Sequence, residues 1–143
     1  MLNKYDPYFW AIKEYGQTEI PGPQANPRIT WYHSFTDGKA TSDEISWCSS
    51  FVNAAVFESG LVGTKSAAAR SWLSWGQKAN GDIGDICVLW RGSKEGWQGH
   101  VGFVHVPFRD GASVVCLLGG NQANAVSVQY YPAARILDFR KPL

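Results

Sequence analysis

The sequence predicts an α+β domain, helices first and an antiparallel sheet after them, on three observations. Apolar residues at helical spacing dominate up to about residue 80. Short β-rich runs between turn residues fill the chain after Gly84, and no internal repeat or low-complexity segment blurs this division. With 143 residues the chain is near the commonest domain size and can bury a core without disulfide or metal. One domain, 1–143, is therefore expected, with an N-terminal segment (1–40), a helical part (41–80) and a sheet part (84–140).

Residues 7–15 read as a short helix, and 20–27, with three prolines and a glycine, as an irregular loop. Thr41 followed by Glu44 has the pattern of a capping box ahead of apolar text. The helix it announces runs through Trp47, Cys48, Phe51, Val52, Ala55 and Val56 and stops at Gly60, which puts Cys48 in or near its first turns. Ser66 precedes AAARSWLSW, a second expected helix ended by Gly76 or by Asn80-Gly81. The runs 86–90, 100–106, 113–118, 125–131 and 135–140 are expected as strands of an antiparallel meander.

Composition excludes several classes. The net charge is +1, from 13 Lys and Arg against 12 Asp and Glu, so there is no electrostatic footprint for nucleic acid or for a membrane surface. No run of about 18 apolar residues is present to span a bilayer. The three cysteines fit neither a disulfide framework nor the paired spacing of zinc ligands, so at least one free thiol is expected. The N-terminus does not read as a secretory signal. Aromatic residues make up 14% of the chain, and some of them must line surface.

A thiol becomes a nucleophile where its thiolate is stabilised, and a helix N-terminus supplies unpaired N–H groups and a favourable dipole. Cys48 is so placed, although a helix facing a core also commonly buries a small thiol. Cys87 and Cys116 sit inside apolar strand runs and read as inert core. Of three histidines, His100 opens a strand directly after the turn GSKEGWQG, where a base at a sheet edge can meet a helix start. His105, five residues on, points to the opposite face and reads as structural. His33, in WYHSF, either lines a groove or is simply exposed. A third polar group usually fixes the imidazole tautomer, and Asn121 and Gln122, ending the next strand, are the candidates beside a plain turn reading of Gly-Gly-Asn. Asp82 and Asp85 read as loop and strand-start residues; a metal site would need more ligands grouped with them.

The blocks SWCSSFVNAAVFESGLVGT, AAARSWLSWG, GDICVLWRG, WQGHVGFV and LLGGNQ, in this order, resemble the CHAP and NlpC-type cell-wall peptidases. The likeness covers about 43–140 and is greatest to a compact subgroup of phage lysis proteins and bacterial effectors. It implies a papain-like fold with Cys48 as nucleophile, His100 as base and Asn121 as orienting residue, with Gln122 behind it. It also implies a peptidoglycan hydrolase, a cysteine endopeptidase or amidase, needing no cofactor or metal. Bacterial peptidoglycan would be its partner, with an immunity or inhibitor protein if it is an effector, and the chain would act as a monomer. It would be made in the cytoplasm and reach the wall through a holin-type lesion or a secretion machine. Stem peptides carry free carboxylates, so Trp47, Trp97, Gln122 and Arg91 are expected to contact substrate, with Trp72 and Trp90 as further aromatic candidates, beside a core reading for several of these tryptophans. Residues 1–40 match no block and are expected to shape the groove. The alternatives are a non-catalytic cell-wall or protein-binding module, in which Cys48 is buried and unreactive, and a related hydrolase of another amide substrate.

Overall fold

The computed structural model describes residues 5–40 and 46–143. Helices come first: α1 (Asp6–Lys13), α2 (Pro27–His33), α3 (Cys48–Glu58) and a 3-10 helix (Ala69–Ser74). The strands β1 (Gln77–Lys78), β2 (Ile86–Trp90), β3 (Gly99–Val104), β4 (Val114–Gln122), β5 (Ala125–Pro132) and β6 (Ile136–Lys141) follow. The result is an α+β architecture with one six-stranded antiparallel sheet in the order β1-β6-β2-β3-β4-β5.

Strands β2 to β5 form the expected meander, but β6 leaves it and returns to pair with β2. This corrects the expectation of a simple meander, and the cause lies in β2 itself. Ile86, Cys87, Val88 and Leu89 are all buried, so β2 is apolar on both faces and takes a neighbour on each edge. Alternation then divides the core. Val88, Val101, Phe103 and Leu118 pack with α3 residues such as Phe51, Val52 and Ala55, whereas Cys87, Leu89, Val104, Val115 and Leu117 form a second cluster with Tyr131, Ile136 and Phe139.

Helix α1 starts at Asp6 with Pro7 in its first turn, and Gly60 lies just past α3 with a φ of 83°, where the sequence places the stop. The pair Thr41 and Glu44 lies outside the described residues. Helix α2 is not foreseen, because PRITWYH is poor in strong helix formers; its start is set by Asn26, whose Oδ1 accepts from Arg28 N–H at 2.9 Å, and by Pro27. It is held by packing of Ile29 and Tyr32 and by Glu14, which accepts from both the Arg28 guanidinium and the Tyr32 hydroxyl. The second expected helix is shorter and is 3-10 rather than α. Tertiary anchors override propensity here: Trp72 Nε1 donates to Ser49 Oγ at 2.9 Å and Trp75 Nε1 to Val62 O at 2.8 Å. Among the described residues no helix is long and apolar enough to cross a membrane.

Candidate active site at the start of helix α3

Helix α3 begins at Cys48 because Trp47 pins the preceding residue. Trp47 adopts φ −127° and ψ 15°, outside the helical region, and its indole is fully buried, stacked on Tyr32 at 5.9 Å with Nε1 donating to Glu19 Oε2 at 3.0 Å. Space for the ring is made by Gly120, where a Cβ would lie 2.7 Å from the indole and 2.8 Å from Phe51 Cβ. The expectation that Trp47 contacts substrate is thereby corrected: it is a core anchor. The Trp47 side chain does not cap the helix, and the backbone of Ser49 in the first turn faces the Cys48 thiol. The first turn is also tied sideways, since Ser49 Oγ donates to Ser66 O at 2.6 Å and Asn53 Nδ2 to Ser49 O at 3.0 Å.

Cys48 forms part of the wall of a cleft of about 290 Å³, with Ser46, Ala67 to Ala69, Arg91, Trp97 and Gly99. Only 2% of the residue is exposed, whereas Trp97 is 79% exposed at the cleft margin. Burial pushes the Cys48 thiol above its ordinary range. It is opposed by the backbone of Val101, the Arg91 guanidinium, the Ser46 hydroxyl and the backbone of Ser49, all of which favour the thiolate. The loop that carries Trp97 is clamped by Arg70, whose guanidinium donates to Gln98 O (2.9 Å), Lys94 O (2.8 Å) and Ser93 O (2.7 Å). A larger cavity of about 540 Å³ lies at the other end of α3, around Phe35, Phe57, Leu61 and Val62, and has no cysteine or histidine in its wall.

His100 is fully buried near the start of β3, one residue before the Val101 backbone that touches the thiol. Its Nε2 lies 2.9 Å from Gln122 Oε1. The amide cannot be turned around, because its Nε2 already donates to Leu117 O at 3.1 Å and to Ser127 O at 2.6 Å. Gln122 therefore offers an acceptor, His100 Nε2 carries the proton, and Nδ1 holds the free lone pair. Among the described residues Nδ1 has no hydrogen-bond partner, so the thiol and the imidazole are not bonded to each other in the resting state. Burial lowers the imidazole pKa to about 4 against the opposing Gln122 bond, and the Arg91 and Arg135 cations add to the fall. The resting pair is thus a neutral thiol and a neutral imidazole. The Tyr131 hydroxyl stands 3.3 Å from His100 Nε2; burial pushes that phenol up to about 12, which keeps it a neutral dipole.

Gln122, not Asn121, occupies the orienting position, which corrects the preference for Asn121. Strict alternation from Leu117 and Gly119 would turn residue 121 toward the His100 face. Between Gly119, paired with Ser127, and Gln122, paired with Ala125, β4 carries one residue more than β5. Asn121 takes up that residue in the left-handed region, at φ 59°, and its Nδ2 reaches out to Ser46 Oγ at 3.4 Å. Alternation is reset, and Gln122 falls beside the imidazole. Gly119 leaves the room, since a Cβ there would meet Gln122 Oε1 at 2.7 Å. Being 2% exposed, Gln122 faces His100 rather than a substrate, a second correction.

The remaining candidates lie elsewhere. His33 is buried with Nδ1 2.8 Å from Ser50 Oγ, neither exposed nor in a groove, and His105 Nδ1 lies 2.7 Å from the Tyr8 hydroxyl just past β3. Trp72 is core, and Trp90 Nε1 donates to Ala134 O at 3.2 Å. Cys87 and Cys116 are buried on strands, and burial pushes both thiols up. No described residue of 1–40 lines the Cys48 cleft, so the expected groove-shaping role is not seen; α1 and α2 instead pack on α3. Tyr131 and Arg70 escape a sequence reading, because AVSVQYY is plain strand text and Arg70 sits in plain helix text. Among the described residues no group of His, Cys, Asp or Glu could hold a metal ion.

No protein-family model matches the chain, and no curated protein matches it. What the site can do rests on its own geometry.

Proposed function

We propose that this chain is a cysteine hydrolase of amide bonds in bacterial peptidoglycan, with Cys48 as nucleophile, His100 as base and Gln122 as orienting residue on a papain-like fold of the CHAP and NlpC type. The observation that carries this reading is the Nδ1 lone pair of His100, unpartnered among the described residues, fixed by an immovable amide and buried beside the residue whose backbone touches Cys48. A core histidine needs no such arrangement, since a buried imidazole normally has both nitrogens satisfied.

The chemistry follows from the atoms. On approach of an amide carbonyl, Nδ1 takes the thiol proton as Sγ attacks the carbonyl carbon, which requires the two groups to close to hydrogen-bonding range. The developing oxyanion would be held by the Cys48 backbone N–H at the start of α3. The imidazolium gives its proton to the departing amine, leaving a thioester. Water then attacks that thioester with its proton passing to Nδ1, and the acid and the thiol are released. No cofactor enters the cycle. The Gln122 carbonyl accepts the Nε2–H throughout and stabilises the charged ring when it forms.

A second reading is favoured by one observation. Cys48 is 2% exposed with a raised thiol pKa, which is what a non-catalytic binding module on the same fold would display. Purified Cys48→Ala protein on isolated sacculi separates the two. Loss of all soluble muropeptide release, with thermal midpoint and sacculus binding retained, supports hydrolysis, and mass spectrometry of wild-type products identifies the bond. Release undiminished in the variant ends the proposal.

A further inference from the structure

Of the six arginines four are fully engaged, and Arg109, exposed and away from the cleft, reaches only the carbonyl of its neighbour Phe108 at 3.4 Å. Arg28 is paired with Glu14; Arg135 donates to Trp90 O at 3.0 Å; Arg140 bonds Asp138 and the Trp75 and Gly76 carbonyls. Arg70 is taken up by three loop carbonyls. Arg91 differs. Its backbone is fixed at the end of β2, with its N–H donating to Gln98 O at 3.1 Å and its carbonyl accepting from Ser93 N–H at 2.8 Å. Its guanidinium has no ion pair and no hydrogen bond among the described residues, although the residue is half-buried and forms part of the cleft wall beside Cys48. Among the described residues no acidic side chain stands in that wall, where Ala67, Ala68 and Ala69 contribute only methyl groups. A half-buried cation without a counter-ion in a preorganised cleft is an anion subsite, and a planar guanidinium matches a carboxylate in two parallel hydrogen bonds.

We propose that Arg91 anchors a free carboxylate of the substrate next to the scissile amide, so that the enzyme takes acidic peptides and rejects their carboxamide counterparts. The proposal builds on the hydrolase reading but names the substrate chemistry that reading leaves open. The loop clamped by Arg70 holds Arg91 and Trp97 on the same rim, which places an aromatic surface over a chain docked through its carboxylate. Arg91 also favours the Cys48 thiolate through space, and that influence is the same for every substrate.

The test compares synthetic stem tetrapeptides that differ only in one carboxylate converted to carboxamide, each carboxylate in turn, with wild type, Arg91→Gln and Arg91→Lys. One such conversion is expected to lower wild-type kcat/KM by about 10- to 100-fold, chiefly through KM. That ratio shrinks to within about 3-fold in Arg91→Gln and recovers in part in Arg91→Lys. A mere effect on the thiolate would slow both peptides equally and leave the ratio intact. Calorimetric binding of the same peptides to Cys48→Ala protein gives the second readout. Carboxylate preference in binding, lost on adding Arg91→Gln, sustains the anion subsite even if no peptide is hydrolysed, in which case the hydrolase reading alone fails. Equal treatment of acid and amide by wild type, a preference that survives Arg91→Gln, or no binding of either peptide overturns the proposal.

Discussion

Gln122 Oε1 lies 2.9 Å from His100 Nε2, and both donor positions of the same amide are taken by the carbonyls of Leu117 and Ser127. The imidazole is thereby held in one tautomer, with its lone pair on Nδ1. Gln122→Ala should therefore reduce kcat by roughly 100- to 10,000-fold. Asn121→Gly, which suits the left-handed backbone, should leave it within about 3-fold. Muropeptide release kinetics decide between them, and equal losses would remove Gln122 from its assigned role.

The depressed pKa of His100 has a signed consequence for stability. An unfolded imidazole takes up its proton near pH 6.5, the folded one only near 4. Between these values the unfolded chain binds more protons, so stability falls as the pH drops through that window, by roughly 3 kcal/mol from this group. Denaturant melts of wild type and His100→Gln at pH 7, 6, 5 and 4 should show a slope in the first that is flattened in the second. Parallel slopes would contradict the burial argument. The acidic limb of kcat/KM should correspondingly lie well below pH 6.5.

Alkylation reports the thiols separately. Cys48 forms part of a cleft wall while Cys87 is fully enclosed in the sheet, so iodoacetamide should label Cys48 before Cys87. Because burial holds the Cys48 thiol above its usual range, the rate should still be climbing beyond pH 8.5, where an ordinary thiol is half ionised. Peptide mapping after timed labelling checks both points, and equal rates at all three cysteines would favour the binding-module reading.

Gly120→Ala should cost about 1–3 kcal/mol, since its new Cβ meets the Trp47 ring at 2.7 Å and the start of α3 must shift. Chemical denaturation gives the stability loss. An unchanged midpoint would show that Trp47 is not the rigid anchor of the helix start.

Local text was a good guide wherever the pattern was strong. The apolar runs at 86–90 and 125–131 lie on β2 and β5, and the stripe from Cys48 to Val56 lies on α3, because period and residue type are properties of a few consecutive residues. Legibility stopped where distant residues intervene. Helix α2 depends on packing against α3, the 3-10 turn on two indole hydrogen bonds, and the position of β6 on a central strand that needed a second neighbour.

The candidate site divides in the same way. A cysteine at a helix start, a histidine opening a strand and an amide pair at the end of the next strand could all be read from order and spacing alone. Which amide reaches the imidazole, which tryptophan is core and which arginine stands unbonded in the cleft wall were settled only in three dimensions. One extra residue in β4 inverts the alternation that points to Asn121. Burial and ion pairing, likewise, depend on what the rest of the chain brings alongside: Tyr32 and Glu19 enclose Trp47, and nothing acidic among the described residues reaches Arg91.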